Sequence, residues 1–377
     1  MKKIILTALI VVSCAFSSLT ALSWSGVVDN NSKFTANNDF TQIALNQSNG
    51  IYLSLASKLN ESGSLRFVTE GLFKFNPVIP FKGGSTQIKF IADVDLLKLT
   101  GDWVIGDGTV SMALGRFQYS DFSGVVFSQV SDGVYLTYNT LKTKTSLYAG
   151  YTGLLNRLNV SMAENSADAA NFYALCPGYV PVIADFSYKA LFESNTIGLQ
   201  AAAFIPVTDK NVLKFYGTLI LNGYIGTIGT YDVRFTFGTE KFTNAMLNGK
   251  LDVNFFIGNS AMATIGAEYA SGDQGAIKTF RTLTARSFGT APFASGVIVP
   301  KLAVMYASGN FYGSLTERFI IAMPADKASF DGFDTAATVT YKLLSDVAIG
   351  CDIGAYISIA NKPASNYYAT IKASLAF

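Results

Sequence analysis

The 377-residue sequence contains no histidine. Without histidine it cannot form a Ser-His-Asp triad, a histidine-ligated zinc site or a histidine general base. The G-x-S-x-G motif of serine hydrolases is absent as well. We therefore predict that the protein is not an enzyme and that it holds no metal and no cofactor.

Charge is also scarce, because only 14% of the residues are charged, whereas an ordinary soluble domain has about 25%. The 28 basic and 26 acidic residues nearly cancel, which argues against nucleic acid as a partner. Half of the residues are hydrophobic, yet beyond the N-terminus no uncharged run approaches the ~18–20 apolar residues of a membrane-spanning helix. Together with 33 glycines, 19 tyrosines and 29 phenylalanines, this pattern is typical of a transmembrane β-barrel.

Cysteine is rare. Cys14, Cys176 and Cys351 lie in dissimilar contexts, and so few cysteines do not form a disulfide framework. We predict that Cys176 and Cys351 are unpaired thiols.

The N-terminus has the pattern of a secretory signal peptide. Lys2 and Lys3 precede an apolar stretch, residues 4–12, and Ala21-Leu22-Ser23 forms a small-x-small cleavage site. This predicts a signal peptide over residues 1–23, removed on export, and a single β-barrel domain over residues 24–377. An uncleaved anchor, or acylation at Cys14, remains an alternative.

From residue 22 onward, apolar and polar residues alternate repeatedly. In GTYDVRFTF (229–237), for example, Tyr231, Val233 and Phe235 alternate with Asp232 and Arg234. Successive side chains of a strand point to opposite faces, so each such segment has one apolar and one polar side. We count eighteen segments: 22–35, 45–59, 64–74, 86–100, 109–118, 131–139, 143–153, 182–192, 196–205, 211–221, 227–238, 247–258, 260–271, 298–308, 311–322, 335–344, 347–359 and 365–377.

The predicted fold is all-β: a closed antiparallel transmembrane β-barrel of 16–18 strands, with 18 favoured. Sixteen stays open because strand boundaries read from a pattern are imprecise. The connectors alternate between two kinds along the chain. Connectors of the first kind, such as 60–63 and 345–346, are all short, whereas the second kind includes every long connector. Pro77, Pro80 and most other prolines fall in connectors of the second kind. This predicts short periplasmic turns, long extracellular loops and both termini on the periplasmic side.

The last strand ends the chain with Phe377, and apolar residues occupy every second position before it. In a soluble sheet this strand would be an exposed edge. In a closed barrel it pairs with the first strand, which contains LSWSGVVDN (22–30). The pattern resembles the C-terminal assembly signal of bacterial outer-membrane barrels, with the positions Ala369, Ile371, Ala373, Leu375 and Phe377. The resemblance implies recognition by the barrel-assembly machinery.

Two internal stretches are similar to outer-membrane porins. The segment LGRFQYSDFSGVVFSQVSDGVYLTY (114–138) resembles the strand–loop–strand element of large porins, and EYASGD (268–273) resembles an element of alginate-exporter and related barrels. Arg116 shares the parity of Met112 and Leu114. We therefore expect a bulge or a strand end to carry it away from the lipid face.

The charged residues on the polar strand faces are the candidate pore lining. A lysine or arginine facing lipid at mid-membrane costs about 2–4 kcal/mol, so these residues must face water. A barrel of 16–18 strands leaves an aqueous channel. Including Lys372, the set has eleven basic and eight acidic members. The others are Lys58, Arg66, Glu70, Lys74, Lys89, Asp93, Asp95, Lys144, Asp185, Lys189, Lys214, Asp232, Arg234, Lys250, Asp252, Glu268, Lys342 and Asp352.

The predicted function is that of an outer-membrane porin of a diderm bacterium, through which small polar solutes diffuse passively. Its expected partners are outer-membrane lipid, the assembly machinery and the solute, and a homotrimer is compatible with the pattern. Loops 154–181 and 272–297 are long enough to fold inward and narrow the pore, or to be displayed at the surface. A structural or adhesin-like barrel without an open pore, a substrate-specific exporter and a secreted soluble β-sandwich or lipoprotein remain the alternatives.

Overall fold

The computed structural model describes residues 22–152, 178–192, 194–208, 211–324 and 327–377. Most of the predicted signal peptide, Cys14, Cys176 and nearly all of loop 154–181 lie outside these ranges. Within them, no helix is both long and apolar enough to cross a membrane.

Twenty strands and one short 3-10 helix make up the described structure, and eighteen of the strands form one closed sheet. Their bounds are β1 Leu22–Asn37, β2 Ile43–Lys58, β3 Leu65–Lys82, β4 Gln87–Ile105, β5 Gly108–Ser120, β6 Ser128–Asn139, β7 Thr143–Tyr151, β8 Tyr179–Leu191, β9 Asn195–Pro206, β10 Lys214–Ile225, β11 Gly229–Glu240, β12 Met246–Ile257, β13 Ala261–Ala270, β14 Ser287–Phe288, β15 Ala291–Pro292, β16 Val297–Ser308, β17 Phe311–Ala322, β18 Ser329–Lys342, β19 Val347–Ser358 and β20 Asn366–Ala376; the 3-10 helix is Lys362–Ala364.

Every barrel strand pairs antiparallel with its two neighbours, and β20 closes the barrel against β1. At the closure, Gly26 and Phe377 exchange two backbone hydrogen bonds of 2.8 and 2.9 Å. The predicted pairing of the last strand with the first is confirmed. The eighteen predicted segments correspond to the eighteen barrel strands, and the alternative of sixteen is wrong.

Some strand ends differ from the prediction. The sequence pattern predicts a connector at Pro77 and Pro80, but both lie within β3, near the end that leads to β4. The pairing of β2 with β3 shifts register between Ile43 and Ala44, and such irregular ladder ends tolerate a residue without an N–H donor. β18 begins at Ser329, ahead of the predicted residue 335.

Arg116 does not leave the outer face as predicted, because β5 pairs with β6 in unbroken register through this residue and Arg116 stands opposite the exposed Leu97 of β4. Gly115 has a φ of 118°, a left-handed value that favours glycine, and the β3–β4 pairing shifts register between Glu70 and Gly71. Arg116 forms two hydrogen bonds to Asp132, 3.0 and 3.1 Å long, and donates a third to the Val94 carbonyl. Its charge is thus neutralised within the chain.

Short and long connectors alternate as predicted. The turns 59–64, 106–107, 140–142, 226–228, 258–260, 309–310 and 343–346 lie at the end of the barrel that holds both ends of the described chain, as does the connection from β8 to β9. The long connectors, among them 121–127 and 271–296, lie at the other end. The small hairpin β14–β15 belongs to connector 271–296.

Along each strand, large exposed apolar side chains alternate with half-buried or buried ones. On β11, for example, Val233, Phe235 and Phe237 are exposed, whereas Thr236 is fully buried. Many of the buried side chains form an aromatic cluster inside the barrel, with members from β5, β8, β9, β10 and from connectors 121–127 and 271–296. The core of this protein therefore lies within the lumen and fills it only in part.

Candidate functional site

Connector 121–127 crosses the inside of the barrel. Arg234 on β11 donates hydrogen bonds of 3.0 and 3.2 Å to the carbonyls of Phe122 and Ser123. Gln200 on β9 accepts one of 3.0 Å from the Phe122 amide. Because β9 and β11 are several strands away from β5 and β6, these bonds pass through the lumen. The connector therefore narrows it.

A buried carboxylate shapes this connector. Asp121 accepts hydrogen bonds from the Ser123 amide and hydroxyl and from the Phe127 amide, which closes the segment into a compact turn. Burial raises the pKa of the Asp121 carboxyl, and the hydrogen bonds from Ser123 and Phe127 oppose this shift. Gly124, at a φ of 64°, supplies the left-handed backbone that the turn needs.

Connector 271–296 enters the lumen beside it. The amides of Leu283 and Thr284 donate to the Val126 carbonyl at 2.8 and 3.1 Å, and Tyr216 on β10 donates to the Arg281 carbonyl at 2.7 Å. Leu283 is fully buried. The first half of this connector is thereby fixed to the aromatic cluster.

The second half reaches the opposite wall. Asp334 on β18 accepts hydrogen bonds from the amides of Thr290 and Ala291 at 2.7 and 2.8 Å. Its other oxygen pairs with Arg318 on β17 at 2.8 Å. Phe288 and Ala291 pack there against Ile320 and Tyr356 of the wall, among others. Connector 271–296 therefore spans the lumen between two walls, as predicted for loop 272–297 in its inward alternative.

Two clefts flank the hairpin of this connector. The first, of about 160 Å³, is lined by four cationic side chains and two carboxylates, namely Lys250, Arg286, Lys301, Arg318, Asp252 and Glu268. The second, of about 580 Å³, lies against β1, β19 and β20 and is lined by two cations and one carboxylate, namely Lys33, Lys372 and Asp352. Ser287 and Gly289 border both clefts.

The cations of the first cleft are held in place by carboxylates. Arg286 forms two hydrogen bonds to Glu268, 2.7 and 3.0 Å long. Asp252 lies between two lysines, 2.6 Å from Lys301 and 3.3 Å from Lys250. The lysine and arginine side chains remain partly exposed, at 21–29%. They are therefore ordered and still accessible to a solute.

All eighteen predicted pore-lining residues lie on the strand face opposite the exposed apolar side chains. The structure distributes them over five regions. At the short-turn rim lie Lys58, Arg66, Lys144, Lys189 and Lys342; along β3 and β4 lie Glu70, Lys74, Lys89, Asp93 and Asp95; beside connector 121–127 lie Asp232 and Arg234; next to the hairpin lie Lys250, Asp252, Glu268 and Asp352; and in or against the aromatic cluster lie Asp185 and Lys214.

Two of these placements differ from the prediction of a wet lining. Lys214 is completely buried and pairs with Glu240 at 3.5 Å, and Asp185 is 5% exposed and bonded to Ser146. Both are covered because the connectors fill this side of the lumen. The alternation along a strand shows that a side chain faces the lumen, but it does not show whether a connector covers that side chain from water.

Several charged residues of the site were not among the predicted set. Lys301 and Arg318 occupy the strand positions that alternate with the exposed Leu302 and Leu315. The alternation pattern could therefore have identified both as residues that face the lumen. Arg286 lies in a connector and has no strand parity. Asp334 shares its strand face with Lys342, but its role as an anchor depends on a contact with Thr290, 44 positions away in the chain.

We expect Asp334→Asn to loosen the hairpin. The substitution removes the buried carboxylate that pairs with Arg318 and accepts hydrogen bonds from two amides. Because breaking a buried ion pair is strongly destabilising, we expect the free energy of unfolding to fall by about 3–5 kcal/mol. Denaturant unfolding in detergent measures the loss. Asp346→Asn, in an exposed turn, is the matched control and should change stability by less than about 1 kcal/mol. Equal unfolding midpoints for both variants would contradict the anchoring role.

Comparison with known proteins agrees with this architecture. No protein-family model and no curated protein matches the chain. Among solved structures, Pseudomonas aeruginosa OccK2 (OpdF) in complex with glucuronate has a TM-score of 0.66 at 12% identity, covering 95% of this chain and 98% of that one. The outer membrane protein opdK from Pseudomonas aeruginosa has a TM-score of 0.64 at 11% identity, covering 95% and 99%.

A third similar structure, Pseudomonas aeruginosa OccK5 (OpdH), has a TM-score of 0.61 at 13% identity and covers 94% of this chain and 98% of that one. All three alignments extend over nearly the whole of both chains. At such low identity they establish the fold and not the solute. The chain therefore has the fold of outer-membrane channel proteins.

Proposed function

We propose that the protein is an outer-membrane channel for the passive diffusion of small polar solutes. The observation that carries this proposal is the charged, partly exposed zone where connector 271–296 divides the lumen. Charged side chains in a membrane require water, and an 18-stranded barrel is wide enough to hold a water-filled path. The proposal assigns no catalytic activity.

The charges around the hairpin favour anionic solutes. Six cations line the two clefts with three carboxylates, and Asp334, bonded to Arg318, adds a fourth. The excess of two positive charges lies at the narrow part of the lumen, where local charge governs selectivity more than the total does. That OccK2 holds glucuronate, a carboxylate sugar, is consistent with a preference for small carboxylates.

The proposed orientation follows from the connectors. The short turns would face the periplasm and the long connectors the cell exterior, after export with the signal peptide 1–23. Ile371 and Leu375 are exposed on the outer face of β20, and Phe377, directly after this strand, is exposed as well. This exposure would make the C-terminal segment available to the barrel-assembly machinery.

Planar-bilayer recording of the mature protein tests the proposal. We expect discrete openings whose conductance rises with salt, a reversal potential that favours chloride over potassium, and a current that glucuronate reduces. The urea-denatured protein is the control. A folded barrel that inserts and never conducts would contradict the channel and favour a structural or adhesin-like barrel. Conduction without any effect of carboxylates would contradict the proposed solute class.

A further inference from the structure

The hairpin of connector 271–296 divides the lumen into two openings. The connector is bonded at one end to Tyr216 on β10 and at the other to Asp334 on β18. A segment that crosses a tube from wall to wall leaves a passage on each side. The first opening is bordered by β12, β13, β16 and β17 and holds the first cleft. The second opening is bordered by β19, β20 and β1 and holds the second cleft.

In the first opening the carboxylates already have partners. Both oxygens of Glu268 accept hydrogen bonds from Arg286. The two oxygens of Asp252 pair with Lys301 and Lys250, one with each. What this opening still offers to a solute is the N–H donors of its partly exposed cations. Such donors bind solutes that carry strong acceptors, above all carboxylates.

The second opening offers acceptors instead. Asn31 on β1 and Asp352 on β19 both border the second cleft. The Oδ1 atom of each is buried and accepts no hydrogen bond from the residues that the structure describes. The same holds for Oδ1 of Asp29, which shares the inward face of β1 with Asn31. A buried acceptor without a partner is costly, and a hydrogen-bond donor on a solute relieves this cost.

The two cations of the second cleft are engaged within the chain. Lys372 pairs with the other carboxylate oxygen of Asp352, and the ammonium group of Lys33 lies 4.5 Å from the centre of the Tyr368 ring. Together with Asp29 on the same face of β1, two lysines are matched by two carboxylates. The second opening therefore lacks the positive excess with which the first opening favours anions.

Uncharged polar groups form most of the remaining lining of the second cleft. They include Thr35, Ser287, Thr290, Asn366, Tyr368 and Thr370. Hydroxyl and amide groups both donate and accept hydrogen bonds. The volume of about 580 Å³ lies within the range of about 300–1,000 Å³ that is usual for small-molecule sites. This lining suits an uncharged solute that carries many hydroxyl groups.

We propose that the second opening is a separate path for neutral polyhydroxylated solutes, alditols and sugars, and that the second cleft is their binding site. Hydroxyl groups of the solute donate to the free oxygens of Asn31, Asp352 and Asp29, while the first opening carries the anions. The inference rests on the proposed channel function and divides it between two routes. It assigns Asn31, an uncharged residue, a role in determining which solute passes.

D-Sorbitol and gluconate are matched probes, since both are hydroxylated six-carbon chains and only gluconate carries a carboxylate. Asn31→Trp narrows the second opening without changing its charge. We expect this variant to slow the swelling of proteoliposomes in isosmotic sorbitol by about fivefold or more, and to change the gluconate permeability by less than about twofold. The reversal potential in a potassium gluconate gradient measures that permeability. Ser111→Trp, on β5 near the short-turn end, is the matched control and should change neither quantity.

Asn31→Leu removes the acceptor at nearly constant volume and tests binding directly. In the wild type, saturating sorbitol should remove about half of the single-channel current, because the first opening remains free. In Asn31→Leu the sorbitol concentration that gives half of this effect should rise about three- to tenfold, as expected for one lost hydrogen bond.

Complete block of the current by sorbitol, or an equal effect of Asn31→Trp on both solutes, would establish one common path and overturn the inference. An Asn31→Trp barrel that migrates as folded and swells in sorbitol at the wild-type rate would overturn it as well. A wild-type protein that passes gluconate and excludes sorbitol contradicts the second path alone. A wild-type protein that passes neither solute contradicts the proposed channel and the second path together.

Discussion

Removing the inward part of connector 271–296 should raise the single-channel conductance about two- to fourfold, since the width of the lumen limits the current. The segment spans the lumen between the aromatic cluster and the wall of β16–β19. Gly272 and Gly296 lie in contact at its two ends, so a short Gly-Ser linker can replace residues 274–294 without moving β13 or β16. Planar-bilayer recording at one fixed salt concentration measures the change.

A second variant distinguishes two ways in which connector 271–296 can limit the conductance, namely by the volume that it occupies and by the contacts that hold it in place. Replacing residues 278–293 by a Gly-Ser stretch of the same length keeps the chain but removes the contacts of Leu283, Phe288 and Ala291. We expect an intermediate conductance with increased current noise, because an unanchored loop enters and leaves the path. Wild-type conductance in the deletion variant would place the narrowest point elsewhere, in connector 121–127 or beyond the described residues.

The fold was predictable because its signal is local. Alternation within a strand such as β11 depends only on neighbouring residues, and a barrel requires each strand to pair with the next one along the chain. The closure of β20 on β1 followed from the need to leave no edge. The ends of β3 and β18 were not predictable in this way, since Pro77, Pro80 and the start of β18 lie where the ladder becomes irregular.

The narrow zone depends on contacts that join distant parts of the chain. Arg234 binds the Phe122 carbonyl, 112 positions away, and no local pattern signals such a pair. The same contacts decide which inward residues meet water, and for that reason Lys214 and Asp185 face the lumen but are covered from water. Lys301 and Arg318 could have been identified from parity, whereas Arg286 could not.

Neutralising three cations of the first cleft should reverse the ion preference of the channel. In the triple variant Lys250→Gln, Arg286→Gln and Lys301→Gln, Arg318 remains to hold Asp334. The six cations and four carboxylates around the hairpin then become three and four, and the net charge changes sign. We expect the reversal potential across an about tenfold KCl gradient to change sign as well, with an effect that weakens at high ionic strength.

The matched control removes the same number of positive charges from the short-turn rim, with Lys58→Gln, Arg66→Gln and Lys342→Gln. These side chains lie beyond the narrow zone, where the lumen is wider and water screens their charges. We expect the reversal potential of this variant to keep its sign and to move by a small fraction of the change in the cleft variant. If both variants shift it equally, the total charge of the lumen governs selectivity, and the cleft beside the hairpin has no special role in choosing the solute.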